Sequence, residues 1–240
     1  MSAAHEPATR RVAIMQPYFL PYLGYFQLID AVDTFVVYDD VNYIKGGWIN
    51  RNRILGHQGG SEWITLRTVG ASPNKLINEV DVGNNRPKLL KTIQQRYAKA
   101  PQFDTIYPLI NQILMYEESS LARFLFAQLK LVSNYLGIVP DWQLSSAMSK
   151  DNSLKAQAKV IAICKSLGAT EYINAIGGKN LYVEDAFAEQ GIRLSFIESR
   201  LSAYLQFGAD FVPDLSIVDV LMFNDREACR SLLHEYSIVC

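Results

Sequence analysis

The sequence predicts an α/β protein with a mixed or largely parallel, Rossmann-like sheet, helices on both faces and a helical middle section. Three observations carry this. A short apolar run at Val12–Met15 and a second one ending at Asp39-Asp40 are separated by a helix-length segment, the spacing of a βαβ unit. Helix, strand, helix and strand follow one another again between Asp151 and Ser199, as parallel crossovers require. Between the two, residues 86–138 carry apolar residues at helical spacing, which marks a helical subregion.

The elements follow in order. After Val12–Met15 comes a loop punctuated by Pro17 and Pro21, a helix from about Gly24, and a strand closed by Asp39-Asp40. Gly46-Gly47 is a turn signal. Residues 62–69, EWITLRTV, alternate and read as a strand, in a hairpin with 44–55 across the Gly56–Gly60 turn. Residues 76–82 are expected to form another short strand. Pro87 sits in the first turn of a helix that Pro101 ends. Residues 103–136 hold two helices broken near 116–120, with Ser119 or Ser120 as cap and Gly137 as stop. Residues 141–149 read as a polar link. Asp151, Asn152 or Ser153 then caps a helix to Leu167, stopped by Gly168. A strand over Glu171–Asn174, a Gly177-Gly178 turn, a helix opened by Tyr182 and a strand over IRLSFIES follow. In the tail, Ser216 caps a helix through Met222 with Asp219 in an S-x-x-D box, and a last helix runs from Arg226 to Tyr236.

Length and composition fit one ordinary globular domain over residues 1–240, with the first 11 expected to be disordered: 49% of the residues are apolar and 20% charged. A net charge of −1 lacks the basic excess of a nucleic-acid-binding domain. No apolar run is long enough for a membrane span, and the first residues lack the apolar core of a signal peptide. The three cysteines have no CxxC spacing and the three histidines are scattered, so no metal site is expected and a reduced, cytoplasmic setting is. Cys164 reads as a small core residue.

Candidate site residues gather where strands end, because ligands of open α/β sheets bind beyond the carboxyl ends of strands. Gln16, Tyr18, Tyr22 and Tyr25 crowd the first loop. Lys45, Trp48, Asn50, Arg51, Asn52 and Arg53 form the densest donor cluster of the chain, suited to carboxylate or phosphate. Asp39 and Asp40 are candidate bases, and Lys45 joins them as a candidate catalytic residue. Alternation would point the two aspartates apart, leaving at most one in direct chemistry.

The blocks IMQPYFLPYLGYFQLI, DTFVVYDDVNYIKGGWINRNRI, WITL, AYLQF and FVPDLSIVDVLMFN resemble, in order and spacing, the WbqC-like family of bacterial proteins. The resemblance covers the chain from Val12 to about Asn224. It implies a place in O-antigen or other surface-polysaccharide biosynthesis, and a transfer of a glycyl-type aminoacyl or other acyl group to an amino sugar or nucleotide-linked sugar. Carried over block by block, it adds Tyr204, Gln206, Ser216 and Asp219 as substrate-binding candidates. A shorter likeness, P-Y-L-G-Y opening a helix, is similar to the H-x-G-H start of nucleotidylyltransferase-like enzymes, with Tyr22 and Tyr25 standing where the histidines would. Tyrosine cannot become cationic as histidine can.

Three readings stay open: an acyl or aminoacyl transferase acting on a nucleotide sugar, an ATP-dependent adenylate-forming ligase, and a non-catalytic sugar-nucleotide or glycan-binding protein. No P-loop and no G-x-S-x-G is present. The cofactor is open, with magnesium conceivable beside an acidic pair and a diphosphate. The aromatic opening and the middle helices also make a homodimer interface conceivable.

Overall fold

The first strand, β1 (Arg11–Met15), shows how the sheet is built. Ala13 packs in one core with Phe35, Val37, Ile173 and Ile197, while Val12 and Ile14 pack in another with Val36, Tyr172, Leu194 and Phe196. Successive side chains of a strand point to opposite faces, so strands this uniformly apolar need cover on both sides. The computed structural model, which describes residues 9–57, 59–208 and 210–240, supplies that cover.

After β1 come α1 (Leu23–Asp30) and β2 (Thr34–Val37), then the hairpin β3 (Arg51–Leu55) and β4 (Ser61–Thr65). A small ribbon of β5 (Thr68–Val69) and β6 (Asp81–Val82) precedes the helices α2 (Arg86–Tyr97), α3 (Phe103–Leu114) and α4 (Leu121–Leu136). The chain returns to the main sheet through β7 (Asp141–Leu144), α5 (Ala156–Ser166), β8 (Glu171–Ala175), α6 (Glu184–Ala188) and β9 (Arg193–Ser199). It closes with α7 (Ile217–Phe223), α8 (Arg226–Leu233) and β10 (Tyr236–Val239).

The main sheet has the order β10-β9-β8-β1-β2-β7, parallel throughout except for antiparallel β10. From β1 the chain moves to β2 on one side, and from β8 it moves to β9 on the other. The strand order therefore reverses between β1 and β8. Helices α1, α4, α7 and α8 share the larger core, and α5 and α6 cover the opposite face through Val160, Ile163, Cys164 and Phe187. The α/β, mostly parallel architecture expected from the sequence is the observed one.

Several local expectations are corrected. Residues 141–149 are not only a link: Asp141–Leu144 pairs with Thr34–Val37 as an edge strand, a partnership that so short a run does not announce. The strand expected at 62–69 ends at Thr65, and Thr68–Val69 pairs with Asp81–Val82 instead. Within 76–82, Ile77–Glu79 is a 3-10 turn, because the Glu79 carboxylate accepts the Leu76 N–H at 2.8 Å and closes it. The last helix stops at Leu233, and Tyr236–Val239 pairs with β9. Helix α6 begins at Glu184 rather than Tyr182, after a 3-10 segment over Ile176–Leu181. Ser120 occupies the N-cap of α4, and α5 starts after Lys155, both without a side-chain cap bond. Asp151 instead accepts from the N–H and hydroxyl of Ser153. Of the first 11 residues, 1–8 lie outside the described residues. Arg10 is tied to Thr170, and Arg11 opens β1 with its N–H on Asp33.

Candidate functional site

The loop from Gln16 to Tyr22 leaves β1 at the point where the strand order reverses, and it is fastened from four parts of the chain. The Tyr25 hydroxyl donates to the Gln16 carbonyl at 2.8 Å, from within α1. The Asn52 amide donates to the carbonyls of Phe19 and Leu20, at 3.2 and 2.8 Å, from β3. From α7, the Ser216 hydroxyl donates to the Leu20 carbonyl at 2.7 Å, and Ile217 N–H donates to Pro21. Gln128 of α4 grips both sides, accepting the Leu20 N–H at 3.1 Å and donating to the Tyr18 carbonyl at 2.6 Å. Leu20 sits at a φ of 43°, a conformation that a branched residue holds only where its surroundings impose it.

The fastened loop leaves a cleft of about 940 Å³ beyond the carboxyl ends of β1, β8 and β9. Gln16, Tyr18, Tyr22, Trp48, Asn52 and Arg53 line one side. Asn174, Gly177, Gly178, Tyr182, Glu198 and Asp214 contribute to the rest. This is the crevice where open α/β folds take their ligands. The side chains of Gln16, Tyr18 and Tyr22 make no hydrogen bond to any described residue, whereas the Arg53 guanidinium donates through Nη2 to the Asp214 carbonyl at 3.2 Å and its buried Nε has no partner. Burial holds the phenols of Tyr18 and Tyr22 above their ordinary range, with the Asp214 carboxylate adding to the rise at Tyr22. Both therefore act as donors at neutral pH rather than as bases. At the rim, Trp48 and Trp63 lie 5.3 Å apart, with the Arg53 guanidinium 5.9 Å from the Trp48 ring and that of Arg51 4.3 Å from Trp63.

The other sequence candidates have different surroundings. Tyr25 is buried behind the loop. Asn50 is buried between the Tyr43 hydroxyl and the Leu66 carbonyl, 2.8 Å from each. Arg51 is bound to the carbonyls of Gly46 and Gly47, where it holds the turn. Lys45 is exposed on that turn and does not line the cleft. Asp219 is fully buried, and its carboxylate accepts from Tyr204 at 2.7 Å, Gln206 at 2.6 Å and Tyr97 at 2.8 Å. These bonds tie the irregular 200–215 segment to α7 and α2. They also leave the S-x-x-D box half made: Ser216 caps Val218 N–H, but its own N–H donates to Arg53.

Asp39 and Asp40 stand beyond the end of β2, outside the cleft lining. Asp39 accepts from the N–H and hydroxyl of Ser146, at 2.9 and 2.6 Å. Its carboxyl is raised, because burial outweighs those bonds. Asp40 pairs with Lys150 at 2.8 Å and Lys159 at 3.0 Å. Burial pushes its carboxyl up, but the two lysines outweigh this and hold it below the usual carboxylate range. Among the described residues, no three His, Cys, Asp or Glu side chains gather as a metal site requires.

The sequence reading did not single out Gln128, which grips the loop from α4, nor the cleft-lining Tyr38, Asn174, Tyr182, Glu198 and Asp214. Asn174 stands one residue before the end of β8, and a Cβ on Gly178 would come within 2.8 Å of its Nδ2. The signal was present in N-A-I-G-G, a polar strand end followed by two glycines.

A family model described as the WbqC-like protein family matches residues 16–231. The chain belongs to that family. Within the WbqC-like family it is similar to the uncharacterized protein Rv1507c of Mycobacterium tuberculosis, 30% identical over 224 residues that span 91% of this chain and 96% of that one. No solved structure gives a match. The loop and hairpin residues that line the cleft, and α7, which anchors the loop, all fall inside the matched residues. No helix among the described residues is long and apolar enough to cross a membrane.

Proposed function

We propose that this WbqC-like protein binds a nucleotide-linked amino sugar in the switch-point cleft. It transfers an acyl group, of the glycyl-type aminoacyl class or another, to the sugar amine during bacterial surface-polysaccharide (O-antigen) biosynthesis. One observation carries the reading: the side chains of Gln16, Tyr18 and Tyr22, without hydrogen-bond partners among the described residues, line one cleft together with the Arg53 guanidinium and Trp48. Aromatic faces suit a base or sugar ring, and a guanidinium without a carboxylate suits a diphosphate. No ion pair among the described residues includes Arg51 or Arg53.

In such a transfer the amine nitrogen forms a bond to the acyl carbon, the bond to the donor's leaving group breaks, and the nitrogen loses a proton. Glu198 and Asp214 are the carboxylates that line the cleft, so the base is sought there. Asp39 and Asp40 are engaged by Ser146 and by two lysines, and this favours a second reading in which the cleft binds its sugar nucleotide without chemistry. The ligase reading draws less support, because Tyr25 is committed to the Gln16 carbonyl.

The test is calorimetric titration with amino-sugar nucleotides, followed by mass analysis of the sugar after incubation with candidate acyl donors. Binding lost in Arg53→Ala and Trp48→Ala, with an acylated product, supports the transferase. Binding without product supports the binding protein. Binding unaffected by both substitutions removes the cleft assignment.

A further inference from the structure

A second cavity, of about 530 Å³, opens beyond the ends of β2 and β7, and Tyr38 lines both it and the cleft. Asp40, Ser146, Lys155, Ala156 and Lys159 contribute to its wall.

Lys159 carries the argument. It is only 6% exposed, and its ammonium donates to the Asp40 carbonyl at 2.8 Å while pairing with Asp40 Oδ2 at 3.0 Å. An ammonium has three N–H donors, and the third has no acceptor among the described residues. Asp40 Oδ2 also takes Lys150 at 2.8 Å. One carboxylate thus answers two buried ammonium groups, and a buried charge left uncompensated is costly. Asp39 does not supply the balance, since it forms no ion pair with either lysine and its oxygens are taken by Ser146.

Lys159 belongs to α5, whose start forms the same wall. No side chain caps this helix, and the N–H groups of Ala156, Gln157 and Ala158 meet no acceptor among the described residues. Ala156 has a φ of 47° and helical residues follow it. A left-handed residue leading into right-handed ones turns successive N–H groups toward one concavity, an anion-binding arrangement to which the helix end adds partial positive charge. Lys155 adds a full charge at the rim.

We propose that this cavity is a second binding site, for a tetrahedral oxyanion such as inorganic phosphate or the phosphate of a small molecule, held by the first turn of α5 with Lys155 and Lys159. The site does not depend on the reading of the aromatic cleft. Tyr38 is the partition between the two, with the Lys159 ammonium 5.2 Å from its ring.

The test is titration of inorganic phosphate into the full chain by calorimetry, at constant ionic strength with chloride as the control. Saturable binding is expected, weakened about tenfold or more in Lys155→Glu through loss and reversal of a charge-assisted contact, and unchanged in Arg53→Ala. Lys159→Met leaves Asp40 paired one-to-one with Lys150, so it is expected to stay folded while losing phosphate. No saturable binding in the wild type, or binding kept by Lys155→Glu and lost in Arg53→Ala, overturns the proposal. Trp48→Ala separates the two sites: it is expected to lose the sugar nucleotide and keep phosphate.

Discussion

The ring of Tyr22 lies across Gly24: a Cβ built on Gly24 would run into Tyr22 Cε2 and stand 3.2 Å from Cδ2. Gly24 is in the first turn of α1 and its φ is not in the left-handed region, so the glycine is required by this neighbour and not by its backbone. The space above the helix start, which in the H-x-G-H arrangement would face a nucleotide, is here filled by an aromatic ring that lines the cleft.

That relationship makes a double substitution informative. Gly24→Ala is expected to displace the Tyr22 ring and weaken cleft binding, although alanine is the better helix former by about 1 kcal/mol. In Gly24→Ala/Tyr22→Ala the clash is gone, so the double variant is expected to melt higher than Tyr22→Ala alone. A Gly24→Ala effect on melting temperature that is the same in the wild-type and Tyr22→Ala backgrounds, with ligand affinity intact in Gly24→Ala, would show that the ring and the glycine are not coupled.

Asn52→Ala removes the side-chain donor of the Phe19 carbonyl, while the Leu20 carbonyl keeps the Ser216 hydroxyl. Leaving one buried acceptor unsatisfied costs about 1–3 kcal/mol, to be read by urea unfolding. The loss is expected to be accompanied by weaker cleft binding, because the same bonds position Tyr18 and Tyr22. Gln128→Leu is expected to behave likewise, although its residue lies 110 positions from Tyr18.

Replacing Asp40 by asparagine leaves Lys150 and Lys159 buried without a countercharge. Breaking a buried pair in this way costs about 3–5 kcal/mol. The wild-type carboxyl is held below its ordinary value of 3.8. Its contribution is therefore complete above that value and is lost as pH falls through the folded-state pKa. A wild-type protein as acid-sensitive as Asp40→Asn would count against this ion-paired role.

Asp219 has the opposite sign. Burial raises its carboxyl above 3.8, against the hydrogen bonds of Tyr204, Gln206 and Tyr97. The folded chain then binds a proton more tightly than the unfolded chain, so stability declines as pH rises from 3.8 through the raised folded-state value. Asp219→Asn is expected to flatten that decline in an unfolding series across pH. An unchanged slope in the variant would place the proton elsewhere.

Much of this was legible in the chain. Uniformly apolar β1 and β2 announced a sheet covered on both faces, because water tolerates neither face of such a strand. Pro87, Gly137 and Gly168 marked helix ends through backbone geometry alone, and Gln16, the polar residue after β1, lines the cleft, whereas Asp39 and Asp40 after β2 do not. Edge strands β7 and β10 were hidden because four-residue runs such as Asp141–Leu144 and Tyr236–Val239 gain their structure from a neighbour's hydrogen bonds.

The division within the candidate site has the same cause. The sequence by itself determined which segments are rich in donors, since Gln16, Tyr22, Asn52 and Arg53 belong to blocks dense in polar and aromatic groups. It could not decide which of those donors find partners, because hydrogen bonds join residues far apart in number. Only the tertiary structure separated Asn52, Asp219 and Asp40, whose polar atoms hold the fold together, from Gln16, Tyr18 and Tyr22, whose side chains line the cleft without partners among the described residues. A buried polar group must find a partner to be tolerated, and partnership is a property of space that the order of residues does not carry.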